Sequence, residues 1–341
     1  MILGLDIGGA NTKAASADSK YAKSVYLPLW KNSPLEKVLK RINAEQKPEA
    51  VAVVITGELA DCFSSKREGV ESIMAVACRA FSCPVYFWGH DGFARNDIIN
   101  PTNSTGIIDM INTTDILHVA AANWSASAAL LAREIGDCLF VDMGSTTTDL
   151  IPIRARPLAA KTDFLRLARG ELVYMGLLRT GLACILPVAR IRGHYVPLAP
   201  ELFAIIADAR LVLGHIDLDR YACDTADGKD KGRHSSLRRL ARSVCADLEE
   251  IGECGALAIA EQACTEQKKA LVAAMERQAE RQGLERVAAA GIGEWLIAEA
   301  ANTLGMECIL LSELYGSRIS DVFPAYAAAR LLETYPVYLQ G

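Results

Sequence analysis

Short runs of Val, Ile and Leu alternate along the chain with stretches whose apolar residues recur at helical spacing, a pattern that predicts an α/β protein. Residues 2–5 and 51–55 are unbroken apolar runs and read as buried strands. Between them, Leu35, Val38, Leu39 and Ile42 make one face of a helix, with Lys37, Lys40 and Arg41 on the other. Ser65 and Glu68 have capping-box spacing and open a helix to about Phe81; a strand follows at 85–88. A turn-rich stretch spans 100–106, and a helix of small residues at 120–135 ends at Gly136.

The chain then begins again. Cys138-Leu-Phe-Val-Asp142-Met-Gly144 repeats the strand, Asp, residue, Gly layout of Ile2-Leu-Gly-Leu-Asp6-Ile-Gly8. A polar, turn-rich section at 221–234 leads into a helical region at 236–282. A strand at 286–290 turns through Gly291-Ile-Gly293 into a helix at 294–304, and a short strand at 307–311 precedes a last helix from Ser320 or Asp321 to Glu333. The repeat places one lobe at 1–135 and a second, with a helical insertion, at 136–320; the C-terminal helix, about 321–341, is free to pack back on the first.

Composition narrows the partners. A chain of 341 residues that is 51 % hydrophobic and 23 % charged buries a large core. Its net charge of -5 gives no general attraction to nucleic acid or anionic membrane, which points to small molecules. Met1 runs straight into a strand without a signal-peptide pattern, and no apolar run reaches the roughly 18 residues of a membrane span, so a cytoplasmic location is expected. Ten scattered cysteines without a CxxC pair read as reduced, buried thiols, and five histidines without metal-ligand spacing argue against structural zinc. Oligomeric state stays open.

The chemistry concentrates in the two Asp-Gly loops. In the first, Gly8 and Gly9 let backbone N–H groups approach a phosphate, Asn11 and Thr12 add donors, and Lys13 supplies charge. In the second, Gly144 precedes consecutive hydroxyls on Ser145, Thr146, Thr147 and Thr148, while Asp142 can face a divalent cation directly or through water. Either loop alone also reads as a decorated hairpin; the pair, each after a similar strand, reads as phosphate binding.

The pair resembles the phosphate loops of the actin/sugar-kinase/Hsp70 superfamily, and Val141-Asp-Met-Gly-Ser-Thr-Thr-Thr-Asp149 is similar to the hydantoinase/oxoprolinase branch. That resemblance implies two ribonuclease-H-like, actin-like ATPase lobes, each a mixed sheet flanked by helices, with a central cleft holding phosphates and a metal ion. Gly9-Ala-Asn-Thr-Lys13, Thr56-Gly-Glu-Leu-Ala-Asp61, Lys66-Arg-Glu-Gly69, Gly176-Leu-Leu-Arg-Thr180 and Thr225-Ala-Asp-Gly228 together resemble, along most of the chain, the methanofuran-pathway synthases. Those enzymes join an aminomethylfuran-methyl diphosphate to the phenol oxygen of γ-glutamyltyramine and release diphosphate.

On that resemblance Asp6 and Asp142 are the expected Mg²⁺ ligands and catalytic groups. Glu58, Asp61 and Asp149 are candidates for the base that takes the phenol proton, with Asp149 alternatively on the metal. Lys66 and Arg179 are candidate contacts for diphosphate or for the acceptor's carboxylate. Gly291 and Gly293 stand where the superfamily carries its adenosine-binding turn; Glu294 and Trp295 follow at once, a departure that argues against ATP and fits a smaller diphosphate. Two other readings stay open: an ATP-dependent kinase or hydantoinase/oxoprolinase-type enzyme, and a non-catalytic nucleotide-binding assembly protein.

Overall fold

The buried apolar runs become the inner strands of two sheets in the computed structural model, which describes residues 1–31, 33–93 and 116–335. The turn-rich stretch expected at 100–106 lies outside the described residues.

The first sheet and its helices run β1 (Ile2–Gly8), β2 (Asn11–Ser16), β3 (Ala22–Tyr26), α1 (Leu35–Gln46), β4 (Ala50–Thr56), α2 (Lys66–Ala80), β5 (Val85–Gly89), β6 (Gly92–Phe93) and α3 (Asn123–Glu134). Its order is β3-β2-β1-β4-β5-β6, with β1 antiparallel to β2 and parallel to β4. Parallel strands covered on both faces need apolar residues at every position, which is why Val51, Ala52, Val53, Val54 and Ile55 are all fully buried.

The rest of the chain supplies β7 (Cys138–Met143), β8 (Thr148–Arg154), β9 (Arg156–Pro157), α4 (Asp163–Arg169), β10 (Leu172–Val173), α5 (Leu182–Ile185), β11 (Val188–Ile191), β12 (His194–Pro197), α6 (Ile206–Val212), α7 (Arg233–Arg242), α8 (Leu248–Gln282), β13 (Arg286–Ala290), α9 (Glu294–Thr303), β14 (Glu307–Leu310), α10 (Leu311–Tyr315), α11 (Ser317–Ser320) and α12 (Phe323–Glu333). The second sheet has the order β10-β8-β7-β13-β14. Taken in chain order within each sheet, this is the 3-2-1-4-5 pattern of the first, so both sheets have the ribonuclease-H-like arrangement.

Two compact units result: unit 1 is 1–140, 151–169 and 309–341, and unit 2 is 141–150 and 170–308. In unit 1, α12 lies on β1 so closely that a Cβ on Gly4 would collide with the Ala325 carbonyl. In unit 2, α6, α7 and α8 pack around Ile206, Leu240, Ile259 and Ala260. The helical region expected from 236 to 282 is two helices: Cys245 takes a positive φ of 57°, Asp247 caps α8 by accepting the Glu250 N–H at 2.8 Å, and Gly252 kinks its start. The fully buried Arg239 donates to Asp208, which also accepts from Tyr221 Oη at 2.9 Å. Among the ten cysteines, all free, Cys62, Cys184, Cys245 and Cys254 are exposed, which corrects the expectation of uniformly buried thiols.

Candidate active site

In unit 2 three segments meet at the second Asp-Gly loop. Gly144 to Thr147 form the tight link between β7 and β8, closed by the Gly144 N–H donating to the Thr147 carbonyl at 3.0 Å. The next segment lies along it: Leu177 N–H donates to the Gly144 carbonyl at 2.9 Å, and Arg179 N–H to the Ser145 carbonyl at 2.8 Å. A Cβ on Gly176 would collide with the Thr146 N–H, so only glycine allows this approach. The Arg179 guanidinium donates to Thr146 Oγ1 at 3.2 Å and thereby brings a fixed cation to the loop.

The third segment is the turn after β13. Gly291 has φ +86°, and a Cβ there would collide with Asp142 Oδ1 and the Met143 carbonyl; at Gly293 it would meet the Met143 side chain. The structure therefore brings Asp142, Gly144, Ser145, Thr146, Thr147, Arg179, Gly291 and Gly293 together. Asp142 is buried, and residues 144–147 are half-buried. The expected run of four available hydroxyls is shortened to three, because Thr148 is fully buried and donates to the Met175 carbonyl at 2.6 Å. Asp149 is buried in β8, in register with Leu172. Trp295 stacks under the Arg210 guanidinium at 5.0 Å and packs against His215.

In unit 1 the first loop is a hairpin whose connection is Gly9-Ala10. The Gly9 and Ala10 carbonyls accept from Leu29 and Leu27 N–H at 2.8 and 2.9 Å, which fixes the loop against the protein. Asn11, Thr12 and Lys13 belong to strand β2 and alternate across it, where the sequence had placed them in the loop. Thr12 is buried with no partner for Oγ1 among the described residues, and Lys13 stands opposite Asp6 with Nζ 4.0 Å from its Oδ2. Buried Asp6 also accepts from Thr56 Oγ1 at 3.1 Å, a partner not anticipated although Thr56 ends the neighbouring strand. Gly8 sits beside Gly57, where a Cβ would come within 3.0 Å of the Gly8 carbonyl carbon.

The candidate bases separate by burial. Asp61 is exposed, whereas Glu58 is only 2 % exposed. The first turn of α2 crosses directly over Glu58: a Cβ on Gly69 would lie 2.7 Å from Glu58 Cα. Burial pushes the Glu58 carboxyl above its ordinary value and nearby Asp163 adds to this, while Lys66, with Nζ 3.6 Å from Oε1, pulls it back. The result is a carboxylate more basic than one in water.

Among the described residues no group of three or more His, Cys, Asp and Glu is placed to cage a metal. Mg²⁺ does not need one; it takes one or two carboxylates and completes its shell with water and substrate phosphate, and each unit by itself offers one buried carboxylate of that kind, Asp6 in unit 1 and Asp142 in unit 2.

The hydantoinase/oxoprolinase family description matches residues 49–335. The chain belongs to that family. It is 38 % identical over 338 residues, 98 % of each chain, to the (4-{4-[2-(γ-L-glutamylamino)ethyl]phenoxymethyl}furan-2-yl)methanamine synthase of Methanocaldococcus jannaschii. A synthase of the same name from Methanococcus vannielii is 33 % identical over 202 residues, 58 % of this chain and 91 % of that one. Among solved structures, a ROK family glucokinase from Streptomyces griseus is similar with a TM-score of 0.48 and 12 % identity, over 97 % of this chain and 98 % of the other.

Proposed function

We propose that this family member is a methanofuran-pathway transferase, which joins an aminomethylfuran-methyl diphosphate to the phenol oxygen of γ-glutamyltyramine and releases diphosphate in the cytoplasm. The observation that carries this is the likeness, along nearly the whole of both chains, to the synthase of M. jannaschii. On this reading ATP is neither consumed nor formed.

The chemistry asks three things of the protein. The furan ring oxygen stabilises positive charge on the exocyclic carbon, so the carbon–oxygen bond to diphosphate breaks with its electron pair leaving on diphosphate. Donors set in advance where that charge accumulates lower the barrier most; Arg179 and the Ser145, Thr146 and Thr147 hydroxyls of unit 2 supply them. In unit 2, Asp142 offers a carboxylate that would hold Mg²⁺, and the ion would there neutralise the leaving diphosphate; Asp6 is the corresponding buried carboxylate of unit 1.

The phenol, with a pKa of about 10, must lose its proton as its oxygen bonds to the furan-methyl carbon. Glu58 is the buried, basic carboxylate suited to take it. Incubation of the protein with Mg²⁺ and both substrates should give the aryl ether by mass spectrometry. Turnover of ATP without ether would replace this reading with a kinase-type one.

A further inference from the structure

Unit 1 holds an open ring of side chains that no sequence motif joins. Glu58 follows β4, Lys66 opens α2, His90 follows β5, Trp124 lies in the first turn of α3, and Asp163 and Arg166 are on α4. Lys66 Nζ is 3.6 Å from Glu58 Oε1. The His90 ring lies 5.8 Å from that of Trp124, and Arg166 covers the Trp124 ring at 4.7 Å. Arg166 donates to Asp163 at 2.9 Å, and Glu58 and His90 follow the neighbouring parallel strands β4 and β5 at the same end of the sheet.

Three atoms on this ring, Glu58 Oε2, His90 Nδ1 and Trp124 Nε1, are buried without a hydrogen-bond partner among the described residues. Glu58 and Trp124 are only 2 % and 4 % exposed. Each such atom costs stability unless something binds it, and three so close together offer a bound molecule a ready set of hydrogen-bond partners. The ring backbone is firmly held: Ser125 Oγ donates to the His90 carbonyl at 3.1 Å and accepts from Trp88 Nε1 at 3.2 Å. At the exposed rim, Lys161 pairs with Asp91 at 2.6 Å, with His118 Nδ1 3.8 Å from the same carboxylate.

We infer that this ring is the acceptor pocket, taking a phenol with an amino-acid tail: Glu58 Oε2 accepts the hydroxyl proton, His90 and Trp124 hydrogen-bond the bound acceptor, and the Lys161–Asp91 rim meets the tail's opposite charges. It rests on the synthase reading above. The unpartnered atoms are an acceptor, a donor and an imidazole nitrogen that serves as either, the set a hydroxyl and an amide require. Burial, with help from the neighbouring His118, lowers the His90 pKa to about 4, so the imidazole is neutral where the reaction runs. The step balances: the phenol O–H bond breaks toward Glu58, the oxygen pair forms the ether bond, and the old carbon–oxygen pair departs with diphosphate.

Steady-state kinetics on the full chain with Mg²⁺, varying each substrate in turn, test the pocket with Trp124→Phe and His90→Gln. Each substitution removes a hydrogen bond from a buried site, so the KM for γ-glutamyltyramine should rise about tenfold while that for the furan diphosphate holds. A phenol KM that stays put, or two KM values rising in parallel, overturns the pocket. Should Trp124→Phe lose its cooperative melt, His90→Gln decides alone. Wild-type protein that makes no ether removes the synthase reading and the pocket with it; wild-type ether formation with an unmoved phenol KM in the variants removes the pocket only.

Discussion

Replacing Gly291 with alanine perturbs the second phosphate loop through the backbone alone. The residue sits at φ +86°, where a side chain costs on the order of 1–2 kcal/mol. Its new Cβ would also collide with Asp142 Oδ1 and the Met143 carbonyl, both in well-packed surroundings, where forced overpacking costs about 1–3 kcal/mol. A total of roughly 2–5 kcal/mol lowers the melting temperature of a domain this size by about 5–15 °C. The Asp142 carboxylate must also move, and a displacement near 1 Å costs about a hundredfold in rate. Thermal melts by circular dichroism and ether formation by mass spectrometry read the two effects. A Gly291→Ala protein that melts and turns over like wild type would refute the close approach of this turn to Asp142.

Asp142→Asn should remain folded and lose most turnover; unchanged activity takes Asp142 out of the mechanism. Arg179→Met should raise the KM of the diphosphate substrate, since it removes the cation bonded to Thr146, and an unaltered KM would contradict that role. Because the folded-state pKa of Glu58 is raised, its ionised form opposes folding at neutral pH. Glu58→Gln should therefore be the more stable protein in urea melts at pH about 8, with the gain fading as pH falls through the raised value toward 4.5; a pH-independent difference would show that Glu58 is not desolvated. Arg239→Met should cost about 3–5 kcal/mol by leaving Asp208 buried and unpaired, checked by the same melts.

The inner strands were legible because burial on both faces leaves uninterrupted apolar runs, as at Val51 to Ile55 and Cys138 to Val141. The loop glycines were legible too, since the close approaches of Gly176 and Gly291 admit no other residue. Strand β2 was not: Asn11, Thr12 and Lys13 are polar, and only pairing with β1 makes them a strand. The break before α8 was hidden because Cys245 carries no sequence mark of its positive φ. His90, Trp124, Asp163 and Arg166 stand on segments separated by elements of no fixed spacing, so the fold alone brings them into one ring.

Oxygen labelling is the sharpest test of ether formation by diphosphate displacement. γ-Glutamyltyramine carrying ¹⁸O in its phenol, incubated with the furan diphosphate, Mg²⁺ and the protein, should give an ether that keeps the label, with one diphosphate released per ether formed. Diphosphate released without labelled ether, or ether that appears only when ATP is added, would contradict it.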